Sequence, residues 1–210
     1  MLQVALLFQN EMVLQKDKKV AIWGNADAGA QVQITMQGQE VWTEADCNGK
    51  WETFLGPFST SFSEEMTITC GKEKLILKEV QVGEVWLAGG QSNMEFHMRY
   101  DADMEDEKMV CMNRNIRFFD YPEVSYIGQI NEADYSKNYG FWRTAQPNQL
   151  ERFSAVGYYF AKELQNKLYR MGLDIGEEHF YTSALATAKF LQSQAPGCSA
   201  YVIGDHGLYN

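Results

Sequence analysis

The stretch GEVWLAGGQSNMEF, residues 83–96, decides how the chain reads. An apolar run, Val85-Trp86-Leu87-Ala88, ends on Gly89-Gly90, and Ser92 follows on what should be a turn. Unbroken apolar character is expected of a strand buried on both faces, as in a parallel sheet. A serine just past such a strand is displayed at the carboxyl end of the sheet, with its Oγ exposed and its backbone held by the core. Glycines before it let a substrate approach the main chain. Backbone N–H groups at such a turn can serve an oxyanion. An ordinary strand-to-turn serine has the same local look, so the question is what surrounds Ser92.

Upstream, the pattern is β. Short runs of Val, Ile, Trp and Thr alternate with turn signals at Gly24-Asn25, Ala28-Gly29, Gln37-Gly38 and Asn48-Gly49. The run VQITM, residues 32–36, places Val32, Ile34 and Met36 on one face. Asn48-Gly49 predicts a type I′ hairpin, because both central residues of that turn need positive φ. Two more strands flank Gly71. Together these predict an N-terminal antiparallel β-sandwich over residues 1–82.

Downstream the pattern changes to α/β. Residues 97–150 are irregular and polar, with Asp101, Asp103, Glu105, Asp106 and Glu107 in an acidic run that reads as a solvated loop rather than a calcium site. NIRFFDY, residues 115–121, predicts a strand. Tyr139, Phe141 and Trp142 are core aromatics more often than a sugar platform. Residues 153–170 predict a helix with Ser154 as N-cap and a stripe of Val156, Phe160, Leu164 and Leu168 packed on the same sheet as Val85–Ala88. A short strand, a second helix and a final strand follow it.

Composition narrows the function. The chain has 210 residues, 45% of them hydrophobic, and a formal net charge of −10. Nucleic acid or an anionic membrane surface would call for a basic patch. No run approaches the ~18 apolar residues of a membrane span. The N-terminus lacks the basic and small-residue features of a signal peptide. Cys47, Cys70, Cys111 and Cys198 show no CxxC spacing, which argues against a structural zinc site. They read as free thiols, with two disulfides as the other arrangement.

GEVWLAGGQSNMEF closely resembles the nucleophile block of the sialate O-acetylesterase family. LLFQNEMVLQKDKKVAIWGNADAG (6–29), TEADCNGKWETFL (43–55) and FSAVGYYFAKELQNKL (153–168) are similar to three further blocks of that family, in the same order. The resemblance covers about residues 6–168. It implies an SGNH-hydrolase part of flavodoxin-like, three-layer α/β/α type, joined to β-rich parts and usually found outside the cytoplasm. It implies removal of O-acetyl groups from sugars such as sialic acid, with Ser92 as nucleophile, Gly90, Gln91 and Asn93 as the surrounding motif and oxyanion positions, and Met94 completing the block. No metal or cofactor is required by acyl transfer to a serine.

The last forty or so residues resemble something else. GEEHFYTSALATAKFL (176–191) and AYVIGDHGL (200–208) are similar to the segment leading into the cap of p-nitrophenylphosphatase-type haloacid-dehalogenase-like phosphatases, whose catalytic aspartates and DxDG loop this chain does not carry. The expectation is a hybrid chain joined near residues 166–172: a β-sandwich over 1–82, the first part of an incomplete esterase domain over 83–169, and a phosphatase-like fragment over 170–210. The esterase family's histidine base should come later than the join, so a truncated, weakly active O-acetylesterase is expected. The alternative is a non-catalytic remnant that binds sugar or another partner. His97 lies five residues past Ser92, a rotation of about 140° if a helix follows the turn, which points it away. His206, with His97 the other possible base, follows Asp205 in the phosphatase-like tail, where nothing was shaped to meet Ser92; His179 sits on a charged turn.

Overall fold

The structure, a computed structural model, describes residues 1–90, 92–121 and 139–170, with side chains as far as 166. The chain divides into two units, Met1–Glu178 and His179–Asn210, and every described residue lies in the first. Gln91, Leu168, His179, Cys198 and His206 all carry expectations from the sequence that lie outside the described residues or side chains.

Eight strands precede residue 84: β1 (Gln3–Val4), β2 (Val13–Gln15), β3 (Val20–Asn25), β4 (Gln31–Met36), β5 (Gln39–Glu44), β6 (Lys50–Leu55), β7 (Ser61–Cys70) and β8 (Glu73–Gly83). They form a five-stranded sheet, β2-β8-β7-β4-β5, and a three-stranded sheet, β1-β3-β6. All the pairings are antiparallel except β2–β8, which is parallel and departs from the wholly antiparallel expectation. Both sheets feed one core. Ile22, Trp51 and Leu55 come from the smaller sheet, and Val32, Ile34, Met36, Met66, Ile68, Val80 and Val82 from the larger. The β4 alternation is the sequence alternation made physical: Val32, Ile34 and Met36 are buried while Gln33 and Thr35 are not. Each such aliphatic side chain withdrawn from water is worth about 1.5–3 kcal/mol.

The type I′ hairpin is at Gln37-Gly38. It joins β4 to β5 in two residues, with φ of 48° and 70°. The Gln37 side chain holds the turn by accepting from Ser59 N at 3.0 Å and donating to Ser59 O at 2.8 Å. At Asn48-Gly49 the expected I′ hairpin is replaced by a different turn. Asp46 carries it, its carboxylate accepting from the backbone N–H of Asn48 and Lys50 at 2.8 and 2.9 Å. Only Gly49 takes positive φ, 76°. The strands on either side, β5 and β6, go to different sheets, so no ladder demands the I′ twist.

Beyond residue 83 a second core forms around Met98, Met104, Cys111, Ile116, Leu150, Phe153 and Tyr158. It is built from α1 (Met104–Val110), β9 (Asn113–Phe119), β10 (Trp142–Ala145) and α2 (Ala155–Arg170). The acidic run is thus partly helical, with Glu105, Asp106 and Glu107 in the first turn of α1, where the helix dipole favours them. Side chains join the two cores: Trp142 Nε1 donates to Leu7 O at 2.8 Å, Arg117 donates to Met12 O at 3.4 Å, and Gln81 Nε2 of β8 donates to Asn115 Oδ1 at 3.0 Å.

Two expectations for this half are corrected. Residues 84–90 form no strand, and Val85 and Leu87 are 47% and 91% exposed. A run that is apolar on both faces becomes a strand only between neighbours, and none of the described strands pairs with it. β9 and β10 pair antiparallel with each other instead. Of the predicted stripe on α2, Val156 is 47% and Phe160 43% exposed, with Phe160 edge-on against Trp86, and Leu164 is half-buried. The helix buries Ala155 and Tyr158 instead, with Tyr159 and Ala161 packed partly against the same core. The overall description is of mixed sheets with few helices. Cys47, Cys70 and Cys111 are free. Among the described residues, no helix is long and apolar enough to cross a membrane, and no group of three His, Cys, Asp or Glu side chains is placed to hold a metal ion.

Candidate active site

Ser92 is exposed and sits on a turn over residues 92–94 with φ of 29°, in the left-handed region. That conformation costs an L-residue on the order of 1–2 kcal/mol and persists only where neighbours hold it. A strained, solvent-facing serine is the geometry a nucleophilic turn requires. The holding contacts lie just downstream. Phe96 N donates to Asn93 O at 3.3 Å, closing the turn. Met98 N then donates to Phe153 O, and Ala155 N to Phe96 O, each at 2.8 Å. His97 and Ser154 form a single antiparallel bridge between these bonds. The serine block is therefore stitched by its backbone to the entry of α2, with Met98 fully buried beneath it.

Side chains reinforce the stitch. Ser154 is the N-cap that the sequence predicts: its Oγ accepts from Gly157 N at 3.2 Å. The same hydroxyl donates to Met94 Sδ at 3.4 Å. Met94 in turn fills the space beside Gly90, where an added Cβ would lie 3.1 Å from Met94 Cβ. Asn93, like Ser92, is exposed. The sequence identified Ser154 as a cap. Its contact with Met94, sixty residues away, had no local signal.

His97 does not lie on a helix running on from the Ser92 turn, as the rotation argument assumed; it precedes a 3₁₀ turn at Met98–Tyr100. Its Nδ1 lies 3.4 Å from Arg99 Nη2. A guanidinium can only donate, so Nδ1 is the acceptor and, in the neutral ring, Nε2 carries the proton. Such a ring has no free lone pair to take a proton from a serine. Burial, followed by the charges of Arg152, Arg99 and Arg143, holds the imidazole below its ordinary value, with Glu95 opposing.

The fold is similar to that of a carbohydrate esterase. The structure superposes on a carbohydrate acetylesterase from Xanthomonas citri with a TM-score of 0.70 and 28% identity, over 79% of this chain and 37% of that one. In sequence the chain is 36% identical over 186 residues to the sialate O-acetylesterase of Mus musculus, a match covering 80% of this chain and 34% of the relative. Over that part it belongs to the sialate O-acetylesterase family. Its matches span 19% to 34% of the rat, mouse and human members' own length. A short stretch of 47 residues, 22% of the chain, is 49% identical to a dihydroxyacetone phosphatase of Corynebacterium glutamicum and covers 17% of it. No family model matches the chain.

Proposed function

We propose that the chain carries the nucleophile of a carbohydrate O-acetylesterase and that Ser92 is that nucleophile. The observation that supports this most directly is the exposed Ser92 in a left-handed turn, within the GQSNM block shared with that family. In the reaction, Ser92 Oγ attacks the acetyl carbonyl of an O-acetylated sugar. In this reading the developing oxyanion is held by backbone N–H groups of the block that carries Gly90, Gln91 and Asn93 in sequence. The sugar hydroxyl leaves with a proton, an acetyl-enzyme remains, and water releases acetate and restores the serine. The substrate class follows the relatives named for sialate, so an O-acetylated sialic acid is the first to try.

On this reading residues 1–82 are a sandwich-type accessory domain and 83–169 the opening part of an SGNH-type domain. The phosphatase-like 170–210 is a hybrid addition, a division supported by the separate match to phosphatases. Turnover is weak in this reading, because the only described histidine, His97, presents its lone pair to Arg99. Loss of a triad member typically lowers kcat by about 10⁴-fold or more. A fluorophosphonate probe tests the assignment. An adduct mapped to Ser92 and absent from Ser92→Ala supports it, with hydrolysis of p-nitrophenyl acetate only slightly above background. No adduct on Ser92 would leave the chain as a sugar-binding or interaction module.

A further inference from the structure

One buried hydroxyl joins two elements that are far apart in sequence. Ser154 is 4% exposed, and its Oγ has two partners at once. It accepts from Gly157 N, in the first turn of α2, and donates to Met94 Sδ, which ends the turn that begins at Ser92. Met94 also lies close beside Gly90, where an added Cβ would stand 3.1 Å from Met94 Cβ. We infer that Ser154 is a positioning residue: it transmits the fixed position of the α2 N-terminus, through the Met94 thioether, to the turn that presents Ser92. This rests on the reading of Ser92 as nucleophile, though the link between Ser154 and Met94 stands or falls separately.

The Ser92 φ needs outside support, and among the described residues the turn is closed on its downstream side by Phe96 N donating to Asn93 O. The Met94 side chain, two residues from Ser92, links the turn to the buried Ser154 hydroxyl. Thioether sulfur is a weak acceptor, so the Ser154 donor orients Met94 more than it stabilises the fold. Capping is the separate, energetic role of the same atom. The two roles can be pulled apart. Ser154→Ala removes both. Met94→Leu removes the sulfur acceptor, keeps the bulk and leaves the cap intact. Ser154→Thr keeps both.

The test has two readouts. In protein labelled with ¹³C at the methionine methyls, the Met94 signal should be dispersed from random-coil position in the parent. It should move in Ser154→Ala and stay in Ser154→Thr. The rate of Ser92 labelling by the fluorophosphonate should fall about fivefold in Ser154→Ala and in Met94→Leu, through the inactivation rate rather than the binding constant. The double variant should be no slower than the slower single, since both cut one link. Ser154→Ala alone should lower the melting temperature, through the lost cap. A Met94 signal unmoved by Ser154→Ala, or singles whose labelling effects multiply in the double variant, would overturn the inference. If the parent shows no Ser92 adduct at all, the nucleophile reading fails, and the Met94 signal still decides whether Ser154 positions the turn.

Discussion

Glu107 on α1 and Lys162 on α2 are 2.5 Å apart, and Tyr158 donates to the same carboxylate at 2.8 Å. One acid therefore ties the helix that supports the serine turn to the helix formed from the acidic run. Beside it, Tyr159 donates to Asp101 at 2.9 Å. The Glu107 side chain is only 14% exposed, while Lys162 at 33% keeps part of its hydration. Glu107→Gln should cost about 1–3 kcal/mol in urea unfolding, less than a fully buried pair would lose.

The two tyrosines make that junction sensitive to alkali. Burial and then the bond to Glu107 raise the Tyr158 phenol well above its ordinary 10.0, and burial and then Asp101 do the same for Tyr159. A group raised in the folded state contributes stability that is full below its unfolded value and is lost as pH climbs through the folded one. Stability should therefore decline above about pH 10. Tyr158→Phe should flatten that decline, as read from chemical unfolding between pH 8 and 11. A slope identical in parent and variant would count against the placement of Tyr158.

His97 gives the opposite sign on the acid side. Its folded value lies below the ordinary 6.5, so above that pH both states are neutral and nothing is lost. As pH falls through 6.5, the unfolded chain takes up the proton first, and stability drops until the folded ring also titrates. His97→Gln should remove this component from a pH 7.5 to 5 stability series. The His97 ring protons in an NMR titration should show the depressed midpoint directly.

Gly24 tests the smaller sheet. A Cβ there would land on the Gln3 carbonyl oxygen, 2.7 Å from Trp51 Cζ2 and 2.9 Å from Val4 Cα. β1 can lie against β3 only because that atom is missing. Gly24→Ala should destabilise by about 1–3 kcal/mol, the usual range for overpacking, by pushing β1 away. Denaturant midpoints measure the loss, and increased amide exchange at Gln3–Val4 would locate it.

The orientation of α2 is tested by a pair of substitutions. Val156→Ser should change stability by less than about 0.5 kcal/mol, as at other exposed positions. Tyr158→Ala, on the buried face, should cost about 3 kcal/mol or more. If Val156 proved the costlier, the helix would have to be rotated to put the sequence-predicted stripe inside.

Local order in this chain was legible where it depends on neighbours in sequence. The β4 alternation, the turn at Gly71, the strand expected at 115–121 and found at 113–119, and the Ser154 cap all arise from side chains within a few residues of one another. Ser92 was singled out by the family block, while its left-handed φ is a feature of the folded turn. The sequence alone also carried the family, through ordered blocks rather than through any physical pattern. The tertiary structure decided which of two readings a pattern took when the choice depended on distant partners. Asn48-Gly49 could close a hairpin only if β5 and β6 paired, and they joined different sheets. The stripe Val156–Phe160 could be a buried face only with something packed over it, and the described core meets Tyr158 instead. Val85–Ala88 could be a strand only between two neighbours. Apolar character states that a surface is costly to expose; which surface covers it, and whether a hydroxyl such as Ser154 finds a sulfur sixty residues away, is settled only when the chain has folded.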